Sequence, residues 1–145
     1  EILSTMKKLL LLLVAAAFVA CGQTPKNKAS ESAVQTEGVE VFSFHTKKRC
    51  PTCLAIERLA REVIEKDFAA QLADGKLVFR VVDISEDEAL ADKYEVTWSS
   101  LLVTRHTSGG ESVNDLTKFA FANARTNPEK FKAELKAEID KLLGE

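Results

Sequence analysis

Between two apolar segments, "VEVFSFH" (Val39–His45) and "KLVFRVVDI" (Lys76–Ile84), the chain holds one long run with a clear period. Ile56, Leu59, Ala60, Val63, Ile64 and Phe68 recur at steps of three and four residues, which places them on one face of a helix. The other face carries Glu57, Arg58, Arg61, Glu62, Glu65 and Lys66, with Glu57/Arg61 and Glu62/Lys66 at the four-residue spacing of a solvated surface. Asp74-Gly75 stops the helix after Ala73. Both flanking segments are rich in β-branched and aromatic residues and read as strands, the second dense enough in Val to be a central, buried one. Strand, helix and strand in this order form a right-handed crossover between parallel neighbours. That restricts the chain to an α/β class.

The rest of the chain completes a sheet. Glu86 to Tyr94 reads as a short helix, and "SLLVTR", Ser100 to Arg105, as a strand. Ser108-Gly109-Gly110 turns it back so that Glu111 to Asp115 pairs antiparallel. Asn127-Pro128 opens a last helix with an apolar stripe at Phe131, Leu135, Ile139 and Leu142. The stretch around Phe119 and Phe121 carries no assignment. The expected architecture is a mixed central sheet of about four strands with helices on both faces, spanning residues 39–145.

Upstream the composition changes. Lys7-Lys8 precede an unbroken apolar run from Leu9 to Ala20, whose twelve residues cover roughly 18 Å of helix against a hydrocarbon layer of roughly 30 Å. The run is too short to span. A basic start, an apolar centre and small residues before a cut site describe a secretory signal over residues 1–20, with 1–5 read as upstream of a start at Met6. Gly22 to Gly38, "GQTPKNKASESAVQTEG", has no aromatic residue and no Leu or Ile, so residues 21–38 are expected to act as a flexible tether.

Three cysteines remain to be placed: Cys21, Cys50 and Cys53. Cys50-Pro51-Thr52-Cys53 stands where a strand and a basic loop give way to the long helix, a placement that reads as a dithiol redox motif. A four-ligand thiolate site lacks partners, since only His45 and His106 remain as further plausible ligands. A purely structural disulfide closing so short a loop would constrain the unfolded chain little. At the start of a helix the free amides and the dipole favour a thiolate on Cys50, and Lys47, Lys48 and Arg49 add positive charge beside it. Pro51 fixes the first turn, and Cys53, one turn along, can attack a mixed disulfide formed at Cys50. Cys50 thus reads as the nucleophile and Cys53 as the resolving thiol.

Two resemblances sharpen this. Val19-Ala20-Cys21 resembles a bacterial lipoprotein signal, which implies acylation of Cys21 and export to the cell envelope on a lipid anchor. From Val39 to Leu143 the pattern resembles the thioredoxin superfamily, through the strand, the CxxC helix, "KLVFRVVDI", and "ADKYEV" leading into an apolar strand. In that family a loop with a cis-proline faces the active site. Its counterpart here, "TWSSLLV", makes Trp98, Ser99 and Ser100 the implied partner-binding loop, with serine where proline would stand and hence a trans bond. Phe44 occupies the place of the family's buried aspartate, which leaves His45 as the nearby titratable group. "FHTKKRCPTC", Phe44 to Cys53, is similar to a small group of bacterial thioredoxin-like proteins, some named as subunits associated with nitrophenyl-compound reduction.

The expected function is a membrane-tethered thiol:disulfide oxidoreductase, exchanging electrons with protein thiols or a membrane thiol carrier and needing no cofactor beyond the Cys50–Cys53 disulfide. Two alternatives stay open: a soft-metal or arsenical binding module using Cys50, Cys53 and His45, and an electron-delivery subunit of a reductase. Nucleic acid is not an expected partner, because the net charge is −2 and the Lys and Arg residues are interleaved with Asp and Glu.

Overall fold

The structure is a computed structural model and describes residues 37–144. The expected signal segment, Cys21 and nearly all of the tether lie outside the described residues.

Four strands form one sheet: β1 (Gly38–His45), β2 (Leu77–Asp83), β3 (Ser100–Thr107) and β4 (Gly110–Asp115), in the order β2-β1-β3-β4. β1 is parallel to β2, from Val39↔Leu77 to His45↔Asp83, and antiparallel to β3, from Gly38↔His106 to Phe44↔Ser100. β3 and β4 make the hairpin. The connection from β1 to β2 is the long helix α1 (Pro51–Asp67) followed by α2 (Ala69–Ala73); then come α3 (Glu88–Lys93), α4 (Thr117–Asn123) and α5 (Pro128–Gly144). The expected class, a mixed four-stranded sheet flanked by helices, is what the chain forms.

Alternation along β1 divides the core. Val39 and Val41 face α1 and α5, where Ile56, Leu59, Val63, Ile64, Phe131, Leu135, Ile139 and Leu142 are all buried. Phe42 and Phe44 point the opposite way, into a smaller cluster with Val82, Val96 and Leu102 that is covered by Leu90 of α3 and by Tyr94, the residue after its end. Each predicted stripe therefore lands on the sheet.

Two expectations are corrected. β2 is an edge strand, not a central one, and most of its residues are only half-buried. Its density of Val records strand propensity and pairing with β1 rather than place in the sheet. The single helix expected through Ala73 is broken at Phe68, whose φ of −127° and ψ of 26° leave the helical region. The Phe68 ring still enters the core. A one-residue break that keeps the apolar face in phase leaves no trace in the period. Phe119 and Phe121, unassigned from sequence, lie on α4 and pack against the larger cluster.

The smaller cluster shares its face with a polar network at the far end of β1. Glu40 is 7% exposed and meets His106 Nε2 at 3.0 Å and Arg80 at 3.5 Å, and Arg80 also reaches Asp87 at 3.5 Å. Across the sheet, Glu111 lies 3.3 Å from His106 Nδ1 and accepts hydrogen bonds from Lys93 and the Tyr94 hydroxyl, each at 3.1 Å. Partial burial pushes the Glu111 carboxyl up, but the Lys93 and Tyr94 hydrogen bonds outweigh it and hold the group below its ordinary value. A depressed carboxyl favours folding above its unfolded value and loses that contribution as the pH falls through its folded one. The urea midpoint should therefore drop on acidification below about pH 4.5, the ordinary glutamate value, and drop less steeply in Glu111→Gln. Parallel pH profiles for the two proteins would refute this.

Candidate functional site

Cys50 is the N-cap of α1, with extended backbone (φ −73°, ψ 158°), and Pro51 occupies the first turn. The pair is joined in a disulfide with Cα atoms 5.1 Å apart. Cys50 Sγ accepts a hydrogen bond from the Cys53 backbone N–H at 3.1 Å, the cap that a serine or aspartate side chain usually provides. The same amide and the helix dipole would stabilise a thiolate once the bond is reduced. Exposure separates the two cysteines: Cys50 is half-buried, whereas Cys53 is 7% exposed.

The basic loop behaves differently from its sequence. Lys47 and Lys48 are exposed, where solvent screens them. Arg49 is tied to Glu57 in a close ion pair, and Arg61 shares that carboxylate at 3.3 Å. The Arg49 charge is therefore met locally by an anion, which weakens its pull on Cys50. Glu57, assigned from sequence to the solvated face, is in fact mostly covered, its side chain 19% exposed. The available signal was its helical spacing from the motif, four residues after Cys53 and seven after Cys50, which puts all three on one face.

His45 ends β1 opposite Asp83, and its Nδ1 lies 3.2 Å from the Thr46 carbonyl. The Asp83 carboxyl is held below its ordinary value mainly by the side chain and backbone N–H of Ser85, with smaller contributions from the His45 and Lys47 charges. Among the described residues no three His, Cys, Asp or Glu side chains gather as a metal cluster, so His45 is not brought together with the two sulfurs as a ligand set. His106 pairs with Gly38 at the other end of β1 from the motif.

The loop from Trp98 to Ser100 does reach the cysteines. Ser99 is 8% exposed, and its Oγ lies 3.5 Å from Cys53 Sγ. Ser100 turns its hydroxyl to the Trp98 carbonyl at 3.0 Å. Every peptide bond among the described residues is trans, as expected where serine replaces proline. Trp98 is 56% exposed, its ring 5.3 Å from that of Phe121. Together with Ser100, Asp115, Thr117 and Lys118 these rings line an open groove of about 400 Å³ that begins one residue from the Ser99–Cys53 contact. Sequence reasoning missed Phe121, because α4 is a short helix whose period is too brief to read.

Fold and site define an α/β domain, a mixed four-stranded sheet flanked by helices, with a two-cysteine centre at the N-terminus of the helix that follows β1. Among solved structures the chain is similar to Trxlp from Edwardsiella tarda, at 20% identity over 69% of this chain and 84% of that one, with a TM-score of 0.44. It is also similar to the first two thioredoxin domains of Eps1p from Naumovozyma dairenensis, at 16% identity over 64% of this chain and 36% of that one, TM-score 0.42. A structure titled as a malarial protein matches at 16% identity over 59% of this chain and 93% of that one, TM-score 0.40. No family model matches the chain, and a search of curated proteins finds no match.

Proposed function

We propose that the chain is a thiol:disulfide oxidoreductase tethered to a membrane through Cys21, acting on disulfides or thiols of partner proteins in the bacterial cell envelope. The observation that carries the chemistry is the Cys50–Cys53 disulfide with its half-buried sulfur capping a helix and its buried sulfur one turn inside. In the reducing direction, the Cys50 thiolate attacks one sulfur of a partner disulfide and releases the other as a thiolate, which takes up a proton. The Cys53 thiolate then attacks Cys50 Sγ, closing the intramolecular disulfide and releasing the partner's second thiolate. Two electrons pass to the partner. The oxidising direction reverses both steps. The groove beside Trp98 and Phe121 offers the segment flanking the partner's cysteine an aromatic wall, with Asp115 and Lys118 at its polar side.

The deciding experiment is an equilibrium titration of the full chain in glutathione and dithiothreitol buffers, trapping free thiols at each point. A reversible two-electron couple is expected, in the range from about −270 to about −120 mV that dithiol oxidoreductases occupy. A value in the lower half marks a reductant, one near the upper end an oxidant of client proteins. Absence of a reversible couple, with stoichiometric soft metal retained by the reduced protein, would overturn the proposal in favour of metal binding.

A further inference from the structure

We propose that the Ser99 hydroxyl is the hydrogen-bonding group that serves the Cys53 sulfur during resolution of the mixed disulfide. The inference rests on the oxidoreductase reading and assigns a residue that reading leaves without a chemical role. Cys53 is 7% exposed, so a thiolate formed there has little water around it and depends on fixed donors. The Ser99 Oγ is 3.5 Å away, within hydrogen-bonding range of a sulfur, and Ser99 itself is 8% exposed. In the disulfide Cys53 has no S–H, so the serine O–H donates to sulfur. A hydroxyl carries one donor and two lone pairs and rotates, so it can accept from the Cys53 thiol and donate to the Cys53 thiolate without moving.

Two contrasts single out Ser99. Ser100, next along the chain, commits its hydroxyl to the Trp98 carbonyl instead. Phe44 offers no polar group, and its ring lies in the apolar cluster on the face of the sheet away from α1. The step balances with the groups present. The Cys53 proton leaves to solvent, the Cys53 thiolate attacks Cys50 Sγ, the bond from Cys50 to the partner sulfur breaks, and the partner leaves as a thiolate. Ser99 donates to the thiolate before the attack and gives up no proton of its own.

The test uses the full chain carrying Cys21→Ser, reduced and mixed with an aromatic disulfide whose thiolate product absorbs visibly. Attack by Cys50 releases one equivalent, and resolution by Cys53 the second. Removing the hydroxyl in Ser99→Ala is expected to raise the midpoint of the second phase by about one pH unit, which lowers the thiolate fraction about tenfold at neutral pH. The more basic thiolate is about threefold more nucleophilic, so the second phase slows about threefold at pH 7 and runs about threefold faster above both midpoints. The two pH profiles must cross, and Ser99→Thr must restore the original one. The ionisable groups at this end of the sheet, namely His45, Lys48, the Arg49–Glu57 pair, Asp115 and Lys118, are common to all variants and cannot produce the crossing. Superimposed profiles, or a uniform loss without crossing, overturn the inference. Should Ser99→Ala not fold, Ser99→Thr against Ser99→Val makes the same comparison. If the protein with Ser99 intact releases no second equivalent, the oxidoreductase reading fails instead.

Discussion

Cys50→Ser should reduce disulfide exchange to the uncatalysed background, whereas Cys53→Ser should complete the first half of the reaction and stop there with the partner bound. The asymmetry follows from position. Cys50 caps α1 with its sulfur half-buried and receiving the Cys53 N–H, so a partner can approach it and the helix terminus stabilises its anion. A serine hydroxyl in the same place is un-ionised at neutral pH and attacks no disulfide. Cys53 is too buried to meet a protein partner directly, and in the proposed mechanism it displaces that partner from Cys50. Non-reducing electrophoresis of envelope extracts, followed by mass spectrometry of the adducts, reads the result: Cys53→Ser should accumulate disulfide-linked species through Cys50, and the double variant none. Adducts linked through Cys53 in Cys50→Ser, at comparable yield, would reverse the assignment. Absence of adducts in both single variants would remove protein partners from the proposal.

Much of this geometry is legible in the sequence because it is local. The apolar steps from Ile56 to Phe68 and from Phe131 to Leu142 fix two helices and the face that each turns to the sheet, and a helix between two strands fixes the parallel pairing of β1 with β2. The motif's own neighbours set the cap, since Pro51 one residue after Cys50 marks the first turn. What escapes depends on contacts distant in the chain. Period-2 alternation puts Glu40 on the same face as Phe42 and Phe44, and nothing local says that His106 and Arg80 will enclose it. Ser99 and Ser100 are indistinguishable as letters, yet only Ser99 turns to Cys53 while Ser100 bonds to its own loop. The partner of Arg49 escapes for the same reason, because Glu57, two turns along the helix, comes back to meet it.

Phe44 supplies the second large effect. Thioredoxins, which the sequence resembles, place a buried aspartate at this position to assist proton transfer, and the structure explains why the exchange cannot be made here. The Phe44 ring is 2% exposed, 5.5 Å from Phe42 and 6.2 Å from Tyr94, in a cluster closed by Val82, Val96 and Leu102. Deleting a buried phenylalanine costs about 3 to 5 kcal/mol, and burying an unpaired carboxyl adds to that. Phe44→Asp should therefore lose more than about 4 kcal/mol of a total that for domains of this size is about 5 to 15, while Phe44→Leu loses about 1 to 2. Urea unfolding of the oxidised proteins measures both. The pH dependence carries its own sign: burial raises the folded carboxyl above its unfolded value, so the aspartate variant's deficit relative to Phe44→Leu shrinks on acidification, where the group is neutral in both states. A pH-independent deficit below about 1.5 kcal/mol would mean that the carboxylate finds water or a partner, and that the cluster is open. With the cluster closed, β1 has no room for a carboxyl at position 44. The polar contact that Cys53 does have comes from the loop before β3, where the Ser99 hydroxyl stands 3.5 Å away, and the proposed role of Ser99 rests on that contact.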